Sequence, residues 1–290
     1  MKSLKILGVL LLLPFSAAAD LNIDGVEVSD LQNWYVHANF EYMRSTESGK
    51  KIYAWMEQEV FDELKAEAGI DIDRDVDQML ATSDGDNGII MLVNGTIRQE
   101  HKDQIMALAA TQNLDPKPRK AGRHEYYWVE GDDNEEPFED GAFFSFSVKD
   151  KLLVTSSEAA MKDLLGKNGR VPLRQERSMF LFSAENGAVG GDSSAEWDSN
   201  IMQNTEEAAL SIADDKGKVR VEASLVATEP EMADSLASIV RGLISLQAFN
   251  DDIEPEMSEI LRSTKVDVKD RTMSISLSLD SDTVVQTLSD

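Results

Sequence analysis

The chain contains no cysteine in its 290 residues. Disulfides therefore hold nothing together here, thiolate-ligated metal centres are excluded, and stability has to come from a buried core. Histidine is nearly as scarce, with His37, His101 and His124 the full set of 3. None has a second histidine at metal-ligand spacing, so they read as packed or surface imidazoles and no metal site or cofactor is expected. Basic residues are also short, 28 against 54 acidic ones, for a formal charge of -26. Binding nucleic acid or an anionic membrane depends on cationic side chains displacing counterions, so no nucleic-acid partner is expected. No glycine-rich phosphate loop is present.

Long hydrophobic runs are missing except at the start, "MKSLKILGVLLLLPFSAAAD". Lys2 and Lys5, the apolar run from Ile6 to Phe15, and the small residues Ala17 and Ala19 follow the order of a secretory signal peptide, with cleavage expected between Ala19 and Asp20. The run is about half of the roughly 20 residues that span a bilayer, and Pro14 interrupts it. The mature chain is thus expected to carry no transmembrane segment and to be periplasmic or secreted. Loss of Lys2 and Lys5 makes it still more acidic, yet 42% hydrophobic residues place it among globular proteins.

Periodicity then outlines the chain. "NWYVHANF" suits a strand, and Ile52, Met56, Val60 and Leu64 recur at helical spacing in a helix expected from Ser45 to Ala68. A strand near Val76 to Ala81 and the run "GIIMLV" follow. Thr96 and Gln99 form a capping-box pair for a helix through Ala110. Strands fit "HEYYWVE", "AFFSFSV" and "KLLVTS", and a short helix fits Glu158 to Leu165. Beyond a basic loop, "MFLFSA" reads as a strand and a short helix is expected over Ser194 to Met202. Two hairpins are expected in "EAALSIADDKGKVRVEASLVA" and "TKVDVKDRTMSISLSL", with a long helix from Thr228 through Phe249 and a second near Pro255 to Arg262 between them. A final helical turn fits Asp282 to Leu288. The element order repeats, so the expected fold is α+β: two diverged repeats, each an antiparallel sheet with helices packed on one face. Their bounds are a signal peptide 1–19, a first repeat 20–166, a linker 167–177 and a second repeat 178–290.

Candidate chemistry is sparse, and no catalytic residue is nominated. "DIDRDVDQMLATSDGDNG" resembles a calcium loop, but begun at Asp71 it has Val76 where the turn glycine belongs and Thr82 where the closing glutamate belongs. A solvated turn is the expectation. "GGDSSAE" around Ser193 has no histidine after it and no oxyanion glycines following the serine, so it is read as a loop. Glu57, Glu59, Asp62, Glu63 and Glu67 are too many carboxylates at this composition to single out an acid and a base. Two basic stretches stand against the acidic background: Lys117, Arg119, Lys120, Arg123 and His124 in one, and Lys167, Arg170, Arg174 and Arg177 in the linker. They are suited either to docking an anionic partner or lipid phosphate, or to offsetting nearby acids, the ordinary state of charge runs.

"NWYVHANFEYMRSTESGKKIYAWMEQEVFDELKAEAGID" and "MADSLASIVRGLISLQAFNDDIEPE" resemble segments of exported proteins of Gram-negative bacteria to which no activity is assigned. The resemblance implies the same location and carries over no site residue. The expected function is non-enzymatic: interaction with another protein of the cell envelope, with carriage of an apolar or lipid ligand between helices and sheet as the alternative. The candidate element is the long helix, where Met232, Leu236, Ile239, Val240, Leu243 and Ile244 form an apolar stripe. Leu246 and Phe249 widen it, and Arg241 is its only charge from Leu236 on. Burial between the repeats is the bland expectation. The functional one is a groove bordered by Leu246 and Phe249 that receives a ligand or partner segment.

Overall fold

The computed structural model describes residues 33–61, 65, 71–83, 88–111, 114–131, 138, 141–174, 177–185, 205–248 and 260–289. The chain divides into two compact units. One gathers Tyr35–Glu41 and Ala54–Glu176; the other takes Tyr42–Tyr53 and Arg177–Asp290, together with Trp34. Both mix helices with antiparallel strands, which is the α+β character expected.

In the first unit the strands are β1 (Trp34–Asn39), β2 (Val76–Ser83), β3 (Ile89–Gly95), β4 (Lys117–Ala121), β5 (His124–Val129), β6 (Ala142–Ser145) and β7 (Lys151–Thr155). Their order across the sheet is β1-β2-β3-β7-β6-β5-β4. The apolar run Ile89 to Val93 lies inside this sheet, which is why it does not alternate. "KPRKA" had not read as a strand, since it is basic and holds Pro118. It is the edge strand β4, where a missing N–H costs least.

Here the expectation of helices on one face is corrected. Neighbouring residues of a strand face opposite sides. Tyr126 donates its hydroxyl to Glu158 Oε1 at 2.6 Å, at the start of a helix over Glu158–Gly166. Tyr127 lies under Lys102, whose Nζ is 5.1 Å from the ring centroid, on a helix over Gln99–Thr111. The two helices therefore cover opposite faces, because this sheet is apolar on both.

A short helix, α1 (Phe40–Ser45), ends at a break at Thr46. Beyond it the helix expected from Ser45 to Ala68 is present in its described part as α2 (Glu47–Met56), continued by a π-helical turn over Glu57–Phe61; residues 62–64 and 66–68 lie outside the described residues. Ser45 Oγ and Thr46 Oγ1 both donate to Tyr42 O, at 2.8 and 3.3 Å, so side chains compete with the helical ladder at the break. Gly49 permits the bend, since a Cβ there would sit 2.4 Å from Thr46 Oγ1 and 2.5 Å from Met43 O. Further helices among the described residues are α3 (Ile72–Asp75), α4 (Gln99–Thr111), α5 (Glu158–Gly166), α6 (Pro230–Ala248) and α7 (Ser281–Ser289), and residues 260–263 are also helical.

The second unit orders its strands β8-β9-β10-β12-β11, where β8 is Phe180–Glu185, β9 Thr205–Asp215, β10 Lys218–Ala227, β11 Lys265–Lys269 and β12 Thr272–Asp280. Both expected hairpins are present. Registers such as Ala223↔Ile275 and Leu225↔Met273 gather the apolar residues on one face and Ser274, Ser276 and Ser278 on the other. α6 lies on the apolar face: Leu236, Ala237 and Met273 form a buried cluster with Leu225, Met232, Val240, Val266, Val268 and Ile275 around it. The expected helices over Ser194 to Met202 and near Pro255 fall outside or largely outside the described residues.

Glu158 anchors the β4 end of the first unit. It accepts from Tyr126 and from Arg119 Nη1 at 2.8 Å, with Lys162 Nζ at 3.4 Å. Tyr126 first, then Arg119, hold its carboxyl down to about 2, against an ordinary value of 4.5. Burial, reinforced by Glu158, pushes the Tyr126 phenol up to about 12. A carboxyl with a depressed folded pKa contributes stability above its unfolded pKa and loses it as pH falls through the folded one. Acid unfolding followed by circular dichroism should therefore show a loss of stability between pH 4.5 and about 2 that Glu158→Gln shrinks. An identical acid profile for the variant would remove Glu158 from the account.

Candidate functional site

The structure divides the acidic opening stretch instead of gathering it round an ion. Asp71 accepts from Lys65 Nζ at 2.7 Å, a bond that with Lys65's charge lowers its pKa. Asp75 is buried and turned to His101, with Oδ2 3.2 Å from Nε2. Arg98 Nη2 stands 3.6 Å from the other oxygen, an ion-pair distance too long for a hydrogen bond. Arg98 donates its backbone N–H to His101 Nδ1 at 3.0 Å, so the Nε2 proton is the one offered to Asp75. This dyad starts α4. The expected capping box is absent: Gln99 Nε2 donates to Asp103, and the Thr96 N–H goes to Asp75 O at 2.8 Å. Residues 84–87 and Ser193 lie outside the described residues, and among the described residues no group of three or more His, Asp or Glu could hold a metal ion.

His37 is fully buried in β1, and burial lowers its pKa, with Gln78 partly offsetting. It packs as a neutral core side chain. His124 opens β5 beside Arg123, 3.3 Å away.

α6 decides the fate of the sequence's best candidate. Leu236, Met232 and Val240 face the sheet, while Ile239 and Leu243 are each 50% exposed and Leu246 is 73% exposed. The single apolar stripe read from the sequence is thus covered along one flank and exposed along the adjacent one, and Leu243 is corrected from core to surface. One sheet face covers only the row that touches it, and the widened stripe exceeds that width. Of the two residues expected to border a groove, Leu246 is exposed and Phe249 lies outside the described residues. Arg241 reaches back to Val266 O at 2.8 Å, so the outward row is left without a free cation. On the sheet beside it, Leu210, Ile212, Val221 and Leu277 are only half-buried.

A second site went unread in the sequence. On one face of the first unit's sheet, pairing brings Leu80 beside Leu92 and Asn94 beside Lys151. Residues 169–174 cross this face as a strap. Lys151 Nζ donates to Gly169 O at 2.7 Å at one end. At the other, the Arg174 N–H meets Tyr35 Oη at 3.4 Å, and its guanidinium lies 5.3 Å from the Tyr35 ring centroid. Between strap and sheet is a cavity of about 430 Å³. Leu80 and Leu92 line its floor, Val171, Pro172 and Leu173 its cover. Lys151 and Arg170 line it too.

The basic stretches separate accordingly. Lys117 and Arg119 lie 4.9 and 5.1 Å from the Trp128 ring centroid, and Arg119 also pairs with Glu158. Lys167 pairs with Asp163 at 2.6 Å. Those cations offset acids and cover aromatic rings. Lys151 and Arg170 do neither: no carboxylate of the described residues forms an ion pair with them. Basic residues in the linker were the one signal in the sequence that pointed here.

No family model matches the chain, and no curated protein matches it. No helix among the described residues is long and apolar enough to cross a membrane. Among solved structures, crystal form IV of TP0453, a Treponema protein, is similar with a TM-score of 0.50 at 10% identity, over 91% of this chain and 96% of that one. Crystal forms I and III of the same protein reach TM-scores of 0.43 at 10% identity, covering 92% and 90% of this chain and 98% and 97% of theirs. At such identity the likeness of this chain to crystal form IV is one of fold alone.

Proposed function

We propose that the chain is a non-enzymatic periplasmic or secreted protein that works by binding another protein of the cell envelope through the outward row of α6. The observation that carries this is the exposure of Ile239, Leu243 and Leu246 on one helix face. Their i, i+4, i+7 spacing is that of anchors that enter an apolar groove, and three large aliphatic side chains half or more in water are a standing reason to associate. Arg241 is the one charge from Ser235 to Ala248, so in a chain of charge -26 this surface adds no negative charge to repel other acidic proteins. The partner offers an apolar groove or helix face. Location rests on the leader and on the resemblance to exported proteins. The repeated order of strands and helices supports an origin by duplication.

Crosslinking in the envelope fraction followed by recovery of the processed chain tests this. A stoichiometric partner is expected with the native protein, and Leu246→Asp with Leu243→Asp should reduce its recovery at least tenfold. Melting should stay near that of the native chain, since exposed positions usually shift stability by no more than about 0.5 kcal/mol. Undiminished recovery, or a collapse in melting temperature, would refute the docking role. A second reading, carriage of an apolar ligand, is favoured by the cavity under the strap.

A further inference from the structure

We propose that the cavity between the sheet of the first unit and the strap 169–174 binds a single-chain anionic amphiphile, its tail on Leu80, Leu92 and the strap and its head at Lys151 and Arg170. This deepens the carrier reading and rests on it. Four observations converge. The cavity's size of about 430 Å³ lies within the roughly 300–1,000 Å³ of small-molecule sites. At about 30 Å³ for each water-sized group it has room for roughly fourteen, which suits one alkyl chain of about a dozen carbons. Leu80 and Leu92 on its floor and Val171, Pro172 and Leu173 in its cover are apolar, with Gln78 and Asn94 the polar side chains of the floor, so a tail laid along the leucines and the strap gains the usual burial energy.

The charge at its rim has one sign. Lys151 is half-buried, with Gly169 O as its acceptor, and Arg170 is near enough to repel it: burial first, then Arg170, lower the Lys151 pKa. Two cations held together in a protein with nearly twice as many acids as bases, yet with no carboxylate of the described residues in ion-pair range of either, form a place for an anion from outside. An anionic head relieves their repulsion and supplies the missing acceptor. The general field of the protein repels anions, so any preference for an anionic amphiphile over its neutral analogue has to arise locally. The strap's attachment through Gly169 and Arg174 leaves Val171 to Leu173 to close over the tail.

The test is titration of the processed chain with dodecanoate and dodecyl phosphate below their micellar concentrations, dodecanol below its solubility limit, and inorganic phosphate, read by calorimetry and native mass spectrometry. Saturable binding of one dodecanoate or dodecyl phosphate, at least tenfold tighter than dodecanol, is expected, and the tighter of the two acids assigns the head. Inorganic phosphate alone should not bind. Arg170→Glu, at an exposed position, should weaken the acids at least tenfold and leave dodecanol and the melting temperature unchanged. Leu173→Asp should weaken acids and alcohol together. Equal binding of dodecanol and both acids would overturn the anion preference while leaving the carrier reading. Binding of neither would overturn both. Phosphate bound as tightly as the acids, or acid binding indifferent to both variants, would overturn the assignment of head and tail to this cavity.

Discussion

Leu153→Ala is expected to lower the free energy of unfolding by about 2–5 kcal/mol. Leu153 is fully buried at the middle of β7, where it pairs with Leu92 of β3 on one side and Ser145 of β6 on the other. Its neighbours Leu152 and Val154, on the opposite face, are also buried, so the strand has no solvated side toward which the sheet could relax. The cost has two parts: the lost transfer energy of the missing carbons, and the void they leave because close-packed surroundings collapse only partly. The upper half of the range is favoured, since β7 is paired with a strand on each side and its backbone is held there. Urea unfolding should show a lower midpoint with an unchanged slope. A loss below about 1 kcal/mol would mean that the chain crossing this face settles into the space.

Gly95→Ala should be comparably damaging for the opposite reason. A Cβ at residue 95 would lie 2.2 Å from Asp75 O and 2.9 Å from Val76 Cα, both backbone atoms with no rotamer to change. Overfilling a packed site usually costs about 1–3 kcal/mol, and more where the backbone itself must move. Here movement spreads. Asp75 O accepts the Thr96 N–H at 2.8 Å, and the Asp75 carboxylate meets His101. The Gly95 N–H is itself bound to Asp150 O at 3.1 Å. Shifting Asp75 thus disturbs the start of α4, the end of β3 and the turn before β7 together. Thermal unfolding should show the loss, and the His101 ring resonances should shift in the folded variant. Native melting together with native His101 resonances would show that Asp75 is not the fixed point described.

The sequence and the structure agree most closely where the information is local. "ADDKGK" marked its hairpin, and the alternation of Met273, Ile275, Leu277 and Leu279 with serines marked a strand apolar on one side, because a period of two is a property of the strand itself. β4 was missed because five basic and proline-containing residues have no such period, and only pairing to β5 makes them a strand. The short helix before Thr46 was missed because the apolar period starts only at Ile52, and the break itself is made by two hydroxyls competing for Tyr42 O. At α4 a capping box was legible in Thr96 and Gln99, yet the cap comes from Asp75 and His101, 26 residues apart in the chain.

The same division holds for function. By itself the sequence determined the absence of disulfides, the acidic character, the mixed α+β class and the existence of a largely apolar helix near the C-terminus. Each follows from composition or from a short-range period. The tertiary structure alone decided which residues of that helix face water, because a helix of continuous apolar character presents Leu236 and Leu243 alike until a sheet covers one row. It alone brought Lys151 and Arg170 to one apolar cavity. Neither residue carries a local sign of the other, and their meeting depends on a strap that returns across the sheet after α5 has ended. Burial and charge proximity are properties of the folded surface, set by long-range pairing that no window of sequence contains.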